Sequence, residues 1–298
     1  MQLDRVAARH APAWRSPIPL FFVFLWSTGF IVAKFGLPYA PPLTFLILRC
    51  VVVLLVLLPC VLAWRAPWPH GLVGHIAVAG MLMHGGYLAG VWCAIKLGMP
   101  AGLSALIVGM QPILTAAAAP LIGERVLPRQ WLGFVLGLAG VALVVAAKMT
   151  LVGLTPQSIA VCVMALVSIT TGTLYQKHFC PSFDLRTGTV IQYAATIVLL
   201  LPFAVALEGF SPALATVNWT PRFVGALLWS VFGLSIGAIF LLFKLLRGSA
   251  ATQVTSLLYL TPPTTAIMAW FMFGEAFNLM GIAGMVVAVL GVAFVVRK

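Results

Sequence analysis

Long apolar runs, separated by short clusters of proline, glycine and basic residues, make up most of the chain. Several windows hold about 20 residues without a charge, the thickness of a bilayer core. Inside lipid a backbone must satisfy its own N–H and C=O groups, so runs of this length predict helices. A transmembrane barrel is excluded, because its strands alternate apolar and polar positions over about 10 residues and these runs are continuous. The pattern predicts ten helices, over 17–37, 43–64, 71–95, 101–122, 129–147, 156–177, 185–207, 221–246, 250–273 and 278–296. Most prolines fall at the ends of these runs or between them, where a residue without an N–H costs least. The connections are short, so consecutive helices should be antiparallel neighbours.

The pattern occurs twice. Residues 103–147 and 254–298 superpose at a shift of 151 positions, aligning Pro112 with Pro263, Gly123-Glu124 with Gly274-Glu275, and Gly140-Val141-Ala142 with Gly291-Val292-Ala293. Each copy is an apolar span with a central proline, a Gly-Glu turn and a glycine-ridged span. A shift of 143 aligns Thr28-Gly29, Lys34 and Pro38 with Thr171-Gly172, Lys177 and Pro181. A period this long, seen twice, marks a duplicated half rather than a solenoid. The expected division is a segment 1–16, a first repeat 17–148 and a second repeat 149–298. Five helices per half is an odd number, so the second half should enter the membrane from the opposite face. Inverted repeats with broken helices near the midplane are a transporter architecture.

Composition narrows the class. The chain is 62% hydrophobic and 7% charged, with a mean hydropathy of +1.13, whereas a soluble domain carries about 25% charged residues. A water-soluble globule is excluded. The net charge of +12 sits mainly in connections, where Lys and Arg set orientation, and it does not imply nucleic acid. With the N-terminus in the cytoplasm, 12 basic residues fall on the inner side and 5 on the outer. That count places both termini inside, in a multi-pass protein of the cell (inner) membrane. The five cysteines form no CxxC pair and read as small buried hydrophobes. The first apolar run is about full-span length and lacks a small-x-small cleavage site, so it is expected to stay as a membrane helix.

Three stretches carry a family resemblance: WSTGFIVAKFGLPYAPPLTFLILR at Trp26–Arg49, HGGYLAGVWCAIKLGMPAGLSALIVGMQP at His84–Pro112, and the two Gly-Glu turns. The chain resembles the EamA-type members of the drug/metabolite transporter superfamily over nearly its whole length. The resemblance implies an all-α membrane protein of ten transmembrane helices, two inverted five-helix repeats around a central cavity, and secondary transport. It does not fix the substrate, since such families handle amino acids, other metabolites, sugars linked to nucleotides, and drugs.

Several polar residues lie at membrane depth. Pro112 and Pro263 interrupt helices four and nine and free the carbonyls of Val108 and Tyr259; Pro262 widens the second break. Those carbonyls, with Gln111 and Thr261, are expected to face the cavity. His84 and Tyr87 share a face of helix three, with Trp92 on a partly different side. An ionisable residue inside the membrane is a functional candidate, and His84 is the one mid-span group that titrates near neutrality, which makes it the candidate for proton coupling. Helix three is a cavity wall in the resembled family. Trp26, Ser27 and Ser168 sit at similar depth. Lys34 and Arg49 lie roughly 5–10 Å inside the first outer turn, and Lys177 and Gln192 are their counterparts in the second half. Basic groups at the entrances suit a carboxylate or phosphate, and bidentate capture belongs to Arg49.

No Asp or Glu falls in the middle of a span, which ranks lipophilic cations below amino acids. No catalytic constellation and no G-x4-GK[ST] loop is present, so neither an enzyme nor an ATP-driven pump is expected, and no cofactor. The function expected is export or facilitated passage of amino acids or similar small metabolites. Multidrug or quaternary-amine export comes second, and nucleotide sugars or sugar phosphates third. The partners expected are a small-molecule substrate and the lipid bilayer, for a monomer or homodimer. The glycine ridges of helices five and ten either join the halves or make a dimer.

Overall fold

The computed structural model describes residues 17–99, 101–146, 154–273 and 279–296. Among them the chain is helical, without a strand. The helices are α1 (Ile18–Gly36), α2 (Pro42–Ala63), α3 (Val73–Lys96), α4 (Ala101–Val108), α5 (Gln111–Ala118), α6 (Pro128–Ala146), α7 (Pro156–Phe179), α8 (Leu185–Glu208), α9 (Pro221–Gly248), α10 (Ala251–Ser256), α11 (Thr261–Phe273) and α12 (Leu279–Val296). Six of them (α2, α3, α7, α8, α9 and α12) are long and apolar enough to cross a membrane. Shorter apolar stretches run over Ile18–Gly29, Leu106–Ile122 and Pro128–Val144. The chain is therefore a multi-pass membrane protein. The segment 1–16 and the Gly274-Glu275 turn lie outside the described residues.

Starts and stops follow local chemistry. Pro42, Pro128, Pro156 and Pro221 each open a helix, at the turn whose N–H has no intrahelical partner. Thr155 and Ser158 form a capping box on α7, with Ser158 N–H to Thr155 Oγ1 at 3.1 Å and Thr155 N–H to Ser158 Oγ at 3.2 Å. Gly123 closes the helical turn Ala119–Ile122 with φ +78°, a left-handed conformation that favours glycine. It leads into Glu124, whose carboxylate accepts the N–H of Ala251 at 2.9 Å. Glu124 thus caps α10, far along the chain. Glu208 plays the same part for α2, accepting Leu43 N–H and Thr44 N–H at 2.8 Å each. Carboxylates at helix N-termini are favoured by the free N–H groups and the dipole there.

Two kinds of irregularity recur. A π-helical turn spans Met81–Gly86 within α3, and another spans Ser230–Ala238 within α9. The fourth and ninth apolar runs are each broken near their central prolines. One break is a turn at Gly109-Met110, after which Gln111-Pro112 starts α5; the other is a 3-10 turn at Leu257–Leu260, after which Thr261-Pro262-Pro263 starts α11. Proline cannot donate to the preceding turn and clashes with its carbonyl, so the helix restarts at each Pro.

Packing is set by glycine. α6 and α12 lie antiparallel, Gly133 against Gly291 and Gly140 against Gly284 and Ala288. A Cβ on Gly140 would sit 2.6 Å from the Gly284 carbonyl oxygen, so only glycine permits this approach. These ridges join the two halves of one chain. α2 packs on α8, α3 on both α7 and α8, α1 on α9 and α11, α2 on α9, and α5 on α7. α3 and α7 are antiparallel, with Gly90 against Ala165 and Gly172 against Met83; α1 and α9 are antiparallel, with Thr28 bonded by the Trp229 indole N–H at 2.9 Å and Leu25 against Gly237.

Candidate functional site

A cavity of about 670 Å³, mouth included, lies where α1, α2, α3 and α9 meet. α1 contributes Trp26, Gly29 and Ala33; α2 contributes Arg49; α9 contributes Leu234 and Ile239. The rest is α3, from Met83 and His84 through Tyr87, Leu88, Val91 and Trp92 to Ile95. At 1.5 Å per residue, the α3 wall runs roughly 16–18 Å, from next to Lys96 down to the middle of the helix. Tyr87, Val91 and Ile95 recur every fourth residue and Leu88 and Trp92 fill the adjacent stripe. Trp92, expected on a partly different side, therefore joins the same wall. Gly29 keeps one side open: a Cβ there would meet Leu234 at 3.7 Å.

At the depth of the π-turns the lining becomes polar. Arg49 is 4% exposed and does not snorkel out. Its Nε–H donates to Ser235 Oγ at 2.6 Å, and among the described residues no carboxylate pairs with it. His84, Tyr87, Tyr193 and Cys50 surround its charge. His84 is 2% exposed, stacks on Tyr193 with ring centres 4.7 Å apart, and lies 3.3 Å from Gln192 Oε1 through Nε2. Gln192 spends its own amide N–H on Gln176 Oε1 at 2.9 Å. Its oxygen is thus the acceptor, which assigns a proton to His84 Nε2.

The two bonds are the same contact made twice. Ser235 follows His84 by 151 positions and Gln192 follows Arg49 by 143, the two shifts that relate the halves. Arg49 on Ser235 and Gln192 with His84 are therefore equivalent positions filled with a cation in one half and an amide in the other.

Of the residues expected at the cavity, Trp26, Arg49, His84, Tyr87 and Trp92 line it together. Six others do not. Ser27 donates to Val23 O at 2.7 Å and Ser168 to Leu82 O at 2.9 Å, since close helices leave those hydroxyls a carbonyl and no open space. Gln111 donates to Thr173 at 3.2 Å, so His84 and Gln111 do not share this cavity. Gln192 stands behind His84, one layer out. Tyr259 is fully buried against Gly137, and Thr261 lies at the α1–α11 contact, its carbonyl 3.4 Å from Ser27 Oγ. Pro112 and Pro263 are buried and Pro262 is half-buried; none of the three lines this cavity. Lys34 lies on α1, its side chain outside the described residues. Gly29, Leu234, Ser235 and Tyr193 belong to the site or its support and were not anticipated.

Lys177 belongs to a second, smaller vestibule of about 400 Å³, with Gln176, Cys180, Pro181, Phe243, Leu246 and Arg247. Because α7 runs antiparallel to α3, this vestibule opens at the end of the molecule away from Lys96. Its lining repeats the outer part of the first cavity: Phe243 and Leu246 follow Trp92 and Ile95 by 151 positions. Lys177 Nζ donates to Leu246 O and, at 2.6 Å, to Ser249 O, and Arg247 donates to Phe183 O. These bonds tie the ends of α7 and α9. Just outside the spans, burial pushes the Cys180 thiol up to about 11, and Arg186 holds the Asp184 carboxyl below its ordinary range. Among the described residues no group of three or more His, Cys, Asp and Glu gathers to hold a metal ion.

The model of the EamA-like transporter family matches residues 18–146 and again 157–297. An uncharacterized transporter of Bacillus subtilis, YvbV, is 28% identical over 97% of this chain and 94% of its own length. A probable amino-acid metabolite efflux pump of Salmonella typhimurium is 26% identical over 92% of both. A probable terminal-alkyne amino-acid exporter of Streptantibioticus cattleyicolor is 24% identical over 67% of this chain and 65% of its own. A solved crystal structure shares the fold, with a TM-score of 0.71 at 20% identity over 94% of this chain and 96% of that one.

Proposed function

This chain belongs to the EamA-like transporter family, and from that premise we propose that it is a secondary transporter exporting amino acids or similar small metabolites by alternating access. The observation that carries the reading is the cavity between α1, α2, α3 and α9, whose wall draws on both halves and reaches the middle of α3. The proposed frame is two inverted five-helix repeats, 17–148 and 149–298, in the inner membrane with both termini cytoplasmic. Three features support it. Exchanging the halves turns the α3–α7 contact into α9–α1, α3–α8 into α9–α2 and α5–α7 into α11–α1, while α2–α8 and α6–α12 map onto themselves. The π-turns and helix breaks recur at equivalent positions. The two vestibules, at opposite ends, share equivalent positions at Ala33 and Gln176, Trp92 and Phe243, and Ile95 and Leu246, and differ in volume. Rocking one half against the other would exchange which vestibule is open. The glycine ridges are used within the chain, which favours a monomer as the working unit.

The printed names of two relatives, an amino-acid metabolite efflux pump and an amino-acid exporter, support the substrate class. Cationic drugs and quaternary amines come second, since the Arg49 charge at the cavity is positive. Nucleotide sugars and sugar phosphates come third, because α5 and α11 bring no lysine to it. The test is reconstitution into liposomes with labelled amino acids, amines and sugars, with and without a pH gradient. Amino-acid flux dependent on the protein is expected; flux of lipophilic cations without amino acids would reverse the ranking.

A further inference from the structure

We propose that Arg49 is the carboxylate anchor of the cavity, and that the site takes small monocarboxylates with an apolar or aromatic body whether or not they carry an α-amino group. The inference rests on the transporter reading above and specifies its substrate. A guanidinium is costly inside a membrane unless an opposite charge or good acceptors face it. Arg49 is buried, has one hydroxyl on Nε, and has no carboxylate among the described residues. Nε is held by Ser235 and the Tyr193 hydroxyl lies beside the guanidinium; the terminal nitrogens are the donors left to grip a carboxylate in bidentate fashion. Ser235 is a positioning residue that fixes the plane of the fork. Among the described residues no carboxylate lines the cavity, so nothing described there demands an ammonium group. Trp26, Leu88, Val91, Trp92 and Ile239 supply an apolar bed beside the charge. The equivalent position in the other half holds the neutral Gln192. The pocket therefore has one charged pole, and a bound anion has one orientation.

Four ligands sharing one phenethyl body separate the possibilities: phenylalanine, N-acetylphenylalanine, phenylalaninamide and phenethylamine. Each is tested as a competitor of labelled phenylalanine flux in proteoliposomes, and as a quencher of tryptophan fluorescence in detergent, where Trp26 and Trp92 report occupancy without transport. Phenylalanine and its N-acetyl derivative should compete equally, and the amide and amine about 10- to 100-fold more weakly, the worth of charge-assisted hydrogen bonds. Arg49→Gln should erase that preference. The variant should fold, because glutamine occupies the equivalent position at Gln192. Arg49→Lys should keep the charge preference in part, and Ser235→Ala should weaken carboxylates several-fold while sparing the amide. Amide or amine competing as well as the acid, with Arg49→Gln indistinguishable from wild type, overturns the proposal and leaves transport standing. Carboxylate-dependent quenching without flux overturns transport and leaves the anchor standing. A sugar phosphate outcompeting every carboxylate would overturn the substrate class.

Discussion

The ties at the smaller vestibule make a quantitative prediction. Replacing Lys177 with methionine keeps the length of the side chain and removes the donor to Leu246 O and Ser249 O. Those carbonyls lie at the C-terminal end of α9, where a cation is also favoured by the helix dipole. Two charge-assisted bonds at a half-buried, partly screened site contribute about 2 kcal/mol together. Lost only when α7 and α9 part, that energy favours the closed vestibule by roughly thirty-fold. Cys180 lines the vestibule and is 3% exposed, so it reports opening without an added label site. Burial pushes its thiol from an ordinary 9.0 up to about 11. The thiolate near neutral pH is thus about 100-fold scarcer in the closed form, and greater nucleophilicity restores only about a tenth of that on a logarithmic slope of 0.4–0.5. Labelling should therefore proceed from the open form. With Cys50, Cys60, Cys93 and Cys162 replaced, an impermeant maleimide on the Lys177 side should modify Cys180 roughly thirty-fold faster in Lys177→Met. A rate within about twofold of the parent would mean that these bonds do not hold the vestibule shut.

Three more predictions follow from contacts described above. Gly140→Val places a side chain on the Gly284 carbonyl and the Ala288 backbone; it should cost roughly 1–3 kcal/mol and lower the thermal midpoint in detergent by several degrees, whereas Gly225→Ala, with nothing within 4 Å, should leave the midpoint unchanged or raise it. His84→Gln still offers Gln192 an amide donor, so it should fold and transport, and the profile of flux against pH decides its part in coupling: a profile that matches the parent's removes His84 from it. Asp184 is held below its ordinary 3.8 by Arg186, so it contributes stability that is present above that value and is lost as pH falls through the lower folded-state value. Asp184→Asn, which keeps the helix cap, should lose that acid dependence in a thermal-midpoint series.

The membrane-helix frame was legible because lipid leaves a chain few choices. Runs of about 20 apolar residues, with prolines between them, can be little else. The breaks at Pro112 and Pro263 were legible for a covalent reason, the missing N–H. What they open was not, because proline says where a helix restarts and not which way its neighbours lie. Arg49, His84, Tyr87, Trp92 and Trp26 could be picked out, being costly or bulky groups at depth. Ser168 and Gln111 carried the same signal and went instead to a neighbouring helix, Ser168 to the Leu82 carbonyl and Gln111 to the Thr173 hydroxyl, since a hydroxyl or amide at depth serves a neighbour as well as a ligand; Thr261 is buried at the α1–α11 contact. Ser235 escaped notice as an ordinary small residue in an apolar run. Carrying the 151 shift from Pro112 back to His84 would have found it, along with Leu234 opposite Met83.

The antiparallel contact of α6 with α12 has a mechanical meaning. At Gly140, Gly284 and Gly291 main chain rests on main chain, and no side chain there could re-pair in a second register. Such a seam can tilt, but it resists sliding. It lies apart from α1, α2, α3 and α9, which makes it the fulcrum for the rocking proposed above.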